Sequence, residues 1–197
     1  MSQVPDTNMT EMRDVMVDLE TTGTSPDAAI LSIGAVAFDR ASGALGPAFY
    51  QTIDLASAVQ ASGIIEPGTF MWWLKQSEAA RNAIESGKHI NVVLIEFSEW
   101  LHLECAPKEN VRIWGNGADF DPVVLARSYE RSHLPRPWNF WNSRCFRTLR
   151  DEHPTVEFER AGTHHHALDD AISQARHLLK ISQLASRTPP TEPGREP

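Results

Sequence analysis

The chain has 197 residues, 41% of them hydrophobic, enough to bury the core of one ordinary domain and too few for two. Lys and Arg total 18 against 26 Asp and Glu, a formal net charge of −8, which argues against the broad basic footprint of a protein that coats nucleic acid. The acid excess is local: residues 1–111 carry 6 basic and 15 acidic side chains, residues 112–160 carry 8 and 7, and residues 161–197 carry 4 and 4.

Residues 1–12 are polar and irregular and are expected to form a flexible N-terminus. The segment Asp14 to Glu20 alternates and is apolar enough for a strand, and Thr21 to Asp27 has the composition of a turn. Ile30 to Phe38 is a second, β-branched strand, and Phe49 to Ile53 a third after the Gly43 and Gly46-Pro47 breaks. Three strands with short links predict an antiparallel meander. Phe70, Trp73 and Leu74 then recur at i, i+3, i+4; Glu78 to Ser86 is a short helix stopped by Gly87; Val92 to Leu103 is helical again. Val111 to Trp114 reads as a strand, Pro122 to His133 as a helix, Trp138 to Trp141 as a strand and Cys145 to Asp151 as a helix. Residues 167–184 give the clearest helix, with Leu168, Ala171, Ile172, Ala175, Leu178 and Leu179 in register. Residues 187–197 hold four of the 13 prolines and are expected to be a disordered tail. A single domain over 13–186 follows, of α/β class with a mixed sheet.

Cys105 and Cys145 form no CxxC pair and read as reduced thiols. No apolar run reaches ~18 residues and none follows Arg13 as a signal peptide requires, so a soluble, cytoplasmic protein that does not enter a membrane is expected.

Four places carry candidate chemistry. Asp18 and Glu20 lie two apart near the end of the first strand, so both point to one face. Two carboxylates there repel unless a cation sits between them; a solvated strand end is the plainer alternative. Asp121 precedes Pro122 where a helix begins, the place of an ordinary N-cap, and Asp119 is its near rival. His164-His165-His166 and Asp169-Asp170 open the last helix. Zinc is disfavoured there, since no cysteine is near and the other acids suit a hard metal. Arg144 and Arg147 flank a helix start, and Trp72 lies off the apolar stripe; arginines could meet phosphates and the indole a base, although surface and packing roles serve each equally well.

Together these segments resemble the DEDDh 3′–5′ exonucleases. The resemblance rests on Val17-Asp-Leu-Glu-Thr-Thr-Gly-Thr24, Asn116-Gly-Ala-Asp-Phe-Asp121 and His165-His-Ala-Leu-Asp-Asp-Ala171. The stretches Trp72-Trp-Leu-Lys-Gln-Ser77, Trp114-Gly-Asn-Gly117 and Arg144-Cys-Phe-Arg-Thr148 are similar to a narrower branch. That branch includes phage-type exodeoxyribonucleases and a mycobacterial exoribonuclease; Cys145 stands where it would have an acid. The resemblance implies an RNase H-like fold, a five- or six-stranded mixed sheet flanked by helices. It selects Asp121 over Asp119, because the family's aspartate follows a Phe, and His165 over His166, because the family's His precedes its Asp by five.

The resemblance further implies a metal-dependent enzyme that releases nucleoside 5′-monophosphates from the 3′ ends of single-stranded nucleic acid or 3′ overhangs, RNA or DNA. Asp18, Glu20, Asp121 and Asp170 would hold two divalent cations, Mg²⁺ or Mn²⁺ as oxygen ligands suit, with Asp18 bridging. His165 would be the general base. Five residues of helix turn through ~500°, so His165 cannot share a helical face with Asp170 and is expected on the preceding loop. Leu19, Thr21 and Thr22 are expected against the terminal nucleotide, with Trp72, Arg144 and Arg147 as further substrate contacts. A catalytically silent binding module and a polymerase-associated proofreading subunit are the alternatives. A homodimer is a further expectation, with Trp138 and Trp141 as spare aromatics for its interface.

Overall fold

The computed structural model describes residues 12–187. Strands β1 (Asp14–Thr21), β2 (Ile30–Asp39) and β3 (Ala44–Thr52) form the expected antiparallel meander, turned between β2 and β3 at Gly43, whose φ of +76° suits a residue without Cβ. Helices α1 (Leu55–Gln60), α2 (Pro67–Trp73), α3 (Glu78–Asn82) and α4 (Ile90–Glu104) follow. Then come β4 (Arg112–Gly115), α5 (Asp121–Arg131), β5 (Ser143–Cys145), α6 (Phe146–Asp151) and α7 (Ala167–Arg187). The sheet order is β3-β2-β1-β4-β5, with β4 parallel to both its neighbours. This is a five-stranded mixed sheet flanked by helices.

The two-residue period of β1 divides the core. Val15, Val17 and Leu19 face one side, under α4 (Val93, Leu94, Phe97) and α5 (Val124, Leu125). Met16 faces the other, with Val36, Phe38 and Trp114, under α6 (Phe146) and α7 (Ala171, Ala175, Leu178). Asp18 and Glu20 share the parity of Met16 and therefore emerge beneath α7. Among the described residues no helix is long and apolar enough to cross a membrane.

Several elements differ from expectation. Trp138 to Trp141 is not a strand. Trp138 is 1% exposed and belongs to the core rather than an interface, while Phe140–Asn142 is a 3₁₀ turn and Trp141 is 61% exposed. The strand forms just downstream because only Ser143–Cys145 can reach the ladder of Ile113 to Gly115. Cys145 ends that strand and caps α6 through its sulfur, which accepts from Thr148 N. The third strand starts at Ala44 and tolerates Pro47 because β3 is a sheet edge. Helix α1, absent from the sequence reading, is six residues long and capped by Asp54, whose carboxylate accepts from Ser57 N at 2.8 Å. Met12 belongs to the fold: its carbonyl accepts from Ala106 N at 2.8 Å and its side chain packs on the core. At the other end Arg187 is still helical. The rest of the expected flexible N-terminus and of the expected proline-rich tail lies outside the described residues.

Candidate active site

The end of β1 is held from three sides. The Trp73 indole N–H donates to the Thr21 carbonyl at 2.8 Å; Thr22 Oγ1 donates to Ile64 O at 2.8 Å; Glu66 accepts from Ser25 N at 2.9 Å. The ladder with β2 shifts between Glu20 and Thr21, so the chain leaves the sheet just past the two acids. Across the sheet, Gly34 pairs with Asp18. A Cβ at Gly34 would lie only 2.1 Å from the Ala167 carbonyl carbon. The missing side chain lets the start of α7 touch the sheet at the level of Asp18.

That approach brings the carboxylates together. Asp18, Glu20 and Asp170 each offer an oxygen within 4.8 Å of the others. Gln174, one turn after Asp170, donates to Asp18 Oδ1 at 2.7 Å. Asp121 is buried beside them at the start of α5, where its two oxygens accept from Leu19 N at 3.2 Å and Asn116 N at 2.8 Å. It is therefore no N-cap but a tie between β1 and the β4–α5 turn; Asp119 is exposed. Asp170 Oδ2 accepts from His165 N at 3.0 Å, and Asp170 Oδ1 from the Arg160 guanidinium.

His165 lies on the loop before α7, as the spacing predicts, with φ +62°. Its ring stacks on His164 at 3.7 Å and meets the edge of Trp72 at 4.8 Å. His166 points elsewhere, stacking on Tyr50 at 4.3 Å. A cavity of about 480 Å³ unites Asp18, Leu19, Glu20, Thr21, Trp72 and Asn116 with Arg160, His165 and Asp170. Trp72 is 40% exposed there. Thr22 is buried behind the strand end, its hydroxyl spent on backbone carbonyls. The Arg147 guanidinium reaches the Asn116 carbonyl at 2.6 Å, next to the cavity wall. Arg144 is not in that wall: its guanidinium is bonded to the carbonyls of Trp141 and Ser143.

The electrostatics are those of acids crowded out of water. Burial, and then the charges of Asp121, Glu20 and Asp170, push the Asp18 carboxyl well above its ordinary range. Burial, Asp170 and Asp121 push Glu20 up to about 8, against the pull of Arg160. Burial raises Asp121 to about 6, opposed by its backbone hydrogen bonds. His165 is pushed below its usual value by burial and by His164, with Asp170 opposing. Buried like charges at this spacing are disfavoured unless protons or cations are shared among them. Two further oxygens, Asn116 Oδ1 and Gln174 Oε1, are buried in the cavity wall without a hydrogen-bond partner. A donor set made of carboxylate and amide oxygens fits a hard divalent cation.

Residues 13–182 match the profile of the 3′–5′ exoribonuclease Rv2179c-like domain. The chain belongs to this family. The exodeoxyribonuclease of Enterobacteria phage T4 is 25% identical, matched over 70% of each chain. Among solved structures, the fold is similar to the nuclease domain of 3′hExo, a DEDDh family member, bound to rAMP (TM-score 0.58, 14% identity, 89% of this chain and 94% of that one). It is also similar to E. coli exonuclease I in complex with a dT13 oligonucleotide (TM-score 0.59, 16% identity, 88% and 41%). S. pombe Pop2p in its Mg²⁺- and Mn²⁺-bound form is a third such structure (TM-score 0.59, 15% identity, 86% and 82%). The fold is thus that of the RNase H-like DEDDh exonucleases, and the chain is a 3′–5′ exonuclease of DEDDh type.

Around the carboxylates, the sequence alone does not point to Gln174, Arg160 or Trp73. Gln174 was within reach, since four residues after Asp170 is the same helical face. Arg160 sits in an irregular loop, where no periodicity marks it. Trp73 was assigned to the core stripe, but its N–H is what secures the strand end.

Proposed function

We propose that this exonuclease removes nucleoside 5′-monophosphates from the 3′ ends of single-stranded RNA or DNA, or of 3′ overhangs, with two divalent cations. The observation that carries the reading is the convergence of Asp18, Glu20 and Asp170 beneath α7, in a cavity large enough for a nucleotide. Asp18, Glu20, Asp170 and Asp121 would hold the cations. Mg²⁺ or Mn²⁺ bound there supplies Lewis acidity toward the phosphate and an activated water near neutral pH. His165 accepts the proton of the attacking water. Its lowered pKa keeps the ring neutral and able to do so, and its loop position lets the ring stand over the cavity rather than in the α7 stripe. Leu19 and Thr21 form the floor against the terminal nucleotide, and Trp72 offers a face or edge to its base. Arg147 lies where an approaching phosphate would pass.

The test is hydrolysis of matched 3′-labelled RNA and DNA strands, single-stranded and with overhangs, in Mg²⁺ or Mn²⁺. Asp18→Ala and Asp170→Ala are expected to abolish turnover, and full activity in either would refute the assignment.

A further inference from the structure

Three polar side chains lie buried along α7 beside its apolar stripe: Asp170, Ser173 and Gln174. Asp170 belongs to the carboxylate cluster. The Ser173 hydroxyl is bonded to the Ala161 backbone and donates to the Asp169 carbonyl. Gln174 has neither use. Its Nε2 donates to Asp18 Oδ1 at 2.7 Å, while its Oε1 is buried with no partner. A buried amide with one atom unpaired is costly, and Met would fill nearly the same volume without that cost. The bond to Asp18 is what offsets it.

The three aspartates of the cluster are not held alike. Asp121 accepts from two backbone amides, those of Leu19 and Asn116. Asp170 accepts from the His165 amide and from Arg160. Among the described residues, the Asp18 carboxylate has one donor, and that donor is Gln174. A carboxylate oxygen can accept more than one bond. A donor at Oδ1 therefore sets the plane of the group and leaves lone pairs free for a cation. An amide does so without adding charge. A Lys or Arg in its place would compete with a cation for Asp18, as Arg160 does at Asp170.

We propose that Gln174 is a positioning residue of this exonuclease: its N–H fixes the orientation from which Asp18 ligates a cation, and it acts through Asp18 alone. The proposal rests on the reading of the carboxylates as a cation site. Ligating carboxylates are commonly steered by such a neighbour, and losing it costs ~10–100-fold in metal affinity or activity.

The test is the Mn²⁺ affinity of wild type, Gln174→Met, Asp18→Ala and the double variant, read from the electron paramagnetic resonance of free Mn²⁺. Gln174→Met should weaken binding ~10–100-fold while the metal-free protein still melts cooperatively. Gln174→Leu, which packs differently and also lacks the donor, should weaken it alike. At saturating Mn²⁺, Gln174→Met should lower kcat on a 3′-labelled strand and leave KM unchanged, a split that a general loosening of the fold would not give. In the Asp18→Ala background, Gln174→Met should change affinity by less than about twofold, because the group it acts through is gone.

Wild-type affinity in both Gln174 variants overturns the proposal. So does a weakening that persists in full without Asp18, which would make Gln174 a ligand in its own right. A wild type that binds Mn²⁺ but hydrolyses no strand sinks the exonuclease reading and leaves the affinity comparison standing. A wild type that binds no Mn²⁺ sinks the cation site, and the role of Gln174 with it.

Discussion

Gly34→Ala changes one hydrogen into a methyl at a residue that does not line the catalytic cavity, yet it is expected to disable the enzyme. The new Cβ would stand 2.1 Å from Ala167 C, 2.2 Å from Leu168 N and 2.4 Å from Ala167 O. All three are backbone atoms, so no rotamer change relieves the clash. Either the first turn of α7 retreats by about 1 Å or more to reach ordinary contact, or β2 bows away beneath Asp18. Both movements separate Asp170 from Asp18 and Glu20. A 1 Å misplacement of catalytic groups costs on the order of 100-fold in rate, and overpacking of this kind costs ~1–3 kcal/mol. Single-turnover hydrolysis of a 3′-labelled strand, beside guanidinium unfolding, measures the two together. Wild-type rate with an unchanged unfolding midpoint would refute the claim that the bare strand at Gly34 sets the height of α7.

Three further outcomes follow from the same geometry. His165→Ala should lower kcat by ~10²–10⁴-fold with calorimetric cation affinity intact; loss of cation binding would contradict its role as base. Glu20 holds a proton in the folded metal-free chain up to about pH 8, against an ordinary value of 4.5, so the native state binds more protons than the unfolded one across that window. Stability of the metal-free protein should therefore fall as pH rises from about 4.5 to 8 and recover on adding Mg²⁺ or Mn²⁺; a melting temperature that stays level across the window contradicts this. Arg160→Gln removes the side chain that occupies Asp170 Oδ1 and should tighten divalent-cation binding in calorimetry, whereas weaker binding would show that Arg160 supports the site instead.

The fold was legible where burial imposes a period. β1 and β2 alternate or run apolar because both lie inside the sheet, and α7 shows its stripe because it packs across β1 and β2. The placement of His165 on a loop followed from helix geometry once the family resemblance required His165 to meet Asp170. What stayed hidden was set by contacts distant in sequence. Trp138 looks like strand material because a buried indole and a strand residue have the same composition. Helix α1 is too short to show a period and depends on the Asp54 cap. Arg144 was grouped with substrate contacts on sequence position, yet a three-residue edge strand turns its guanidinium onto local carbonyls. Arg160 meets Asp170 only because the loop after α6 folds back over the start of α7, which no local pattern encodes.

The hydrogen bond from Gln174 to Asp18 joins positions 156 residues apart, and the carboxylate cluster spans nearly the same interval. Cations shared by Asp18 and Asp170 would thus behave as a removable cross-link between the first strand and the last described helix. The entropy of closing so long a loop grows only logarithmically with its length, while a cation that binds only the closed form stabilises it by mass action. Without divalent ions that cross-link is lost, and protease resistance of the whole domain becomes a gauge of free Mg²⁺.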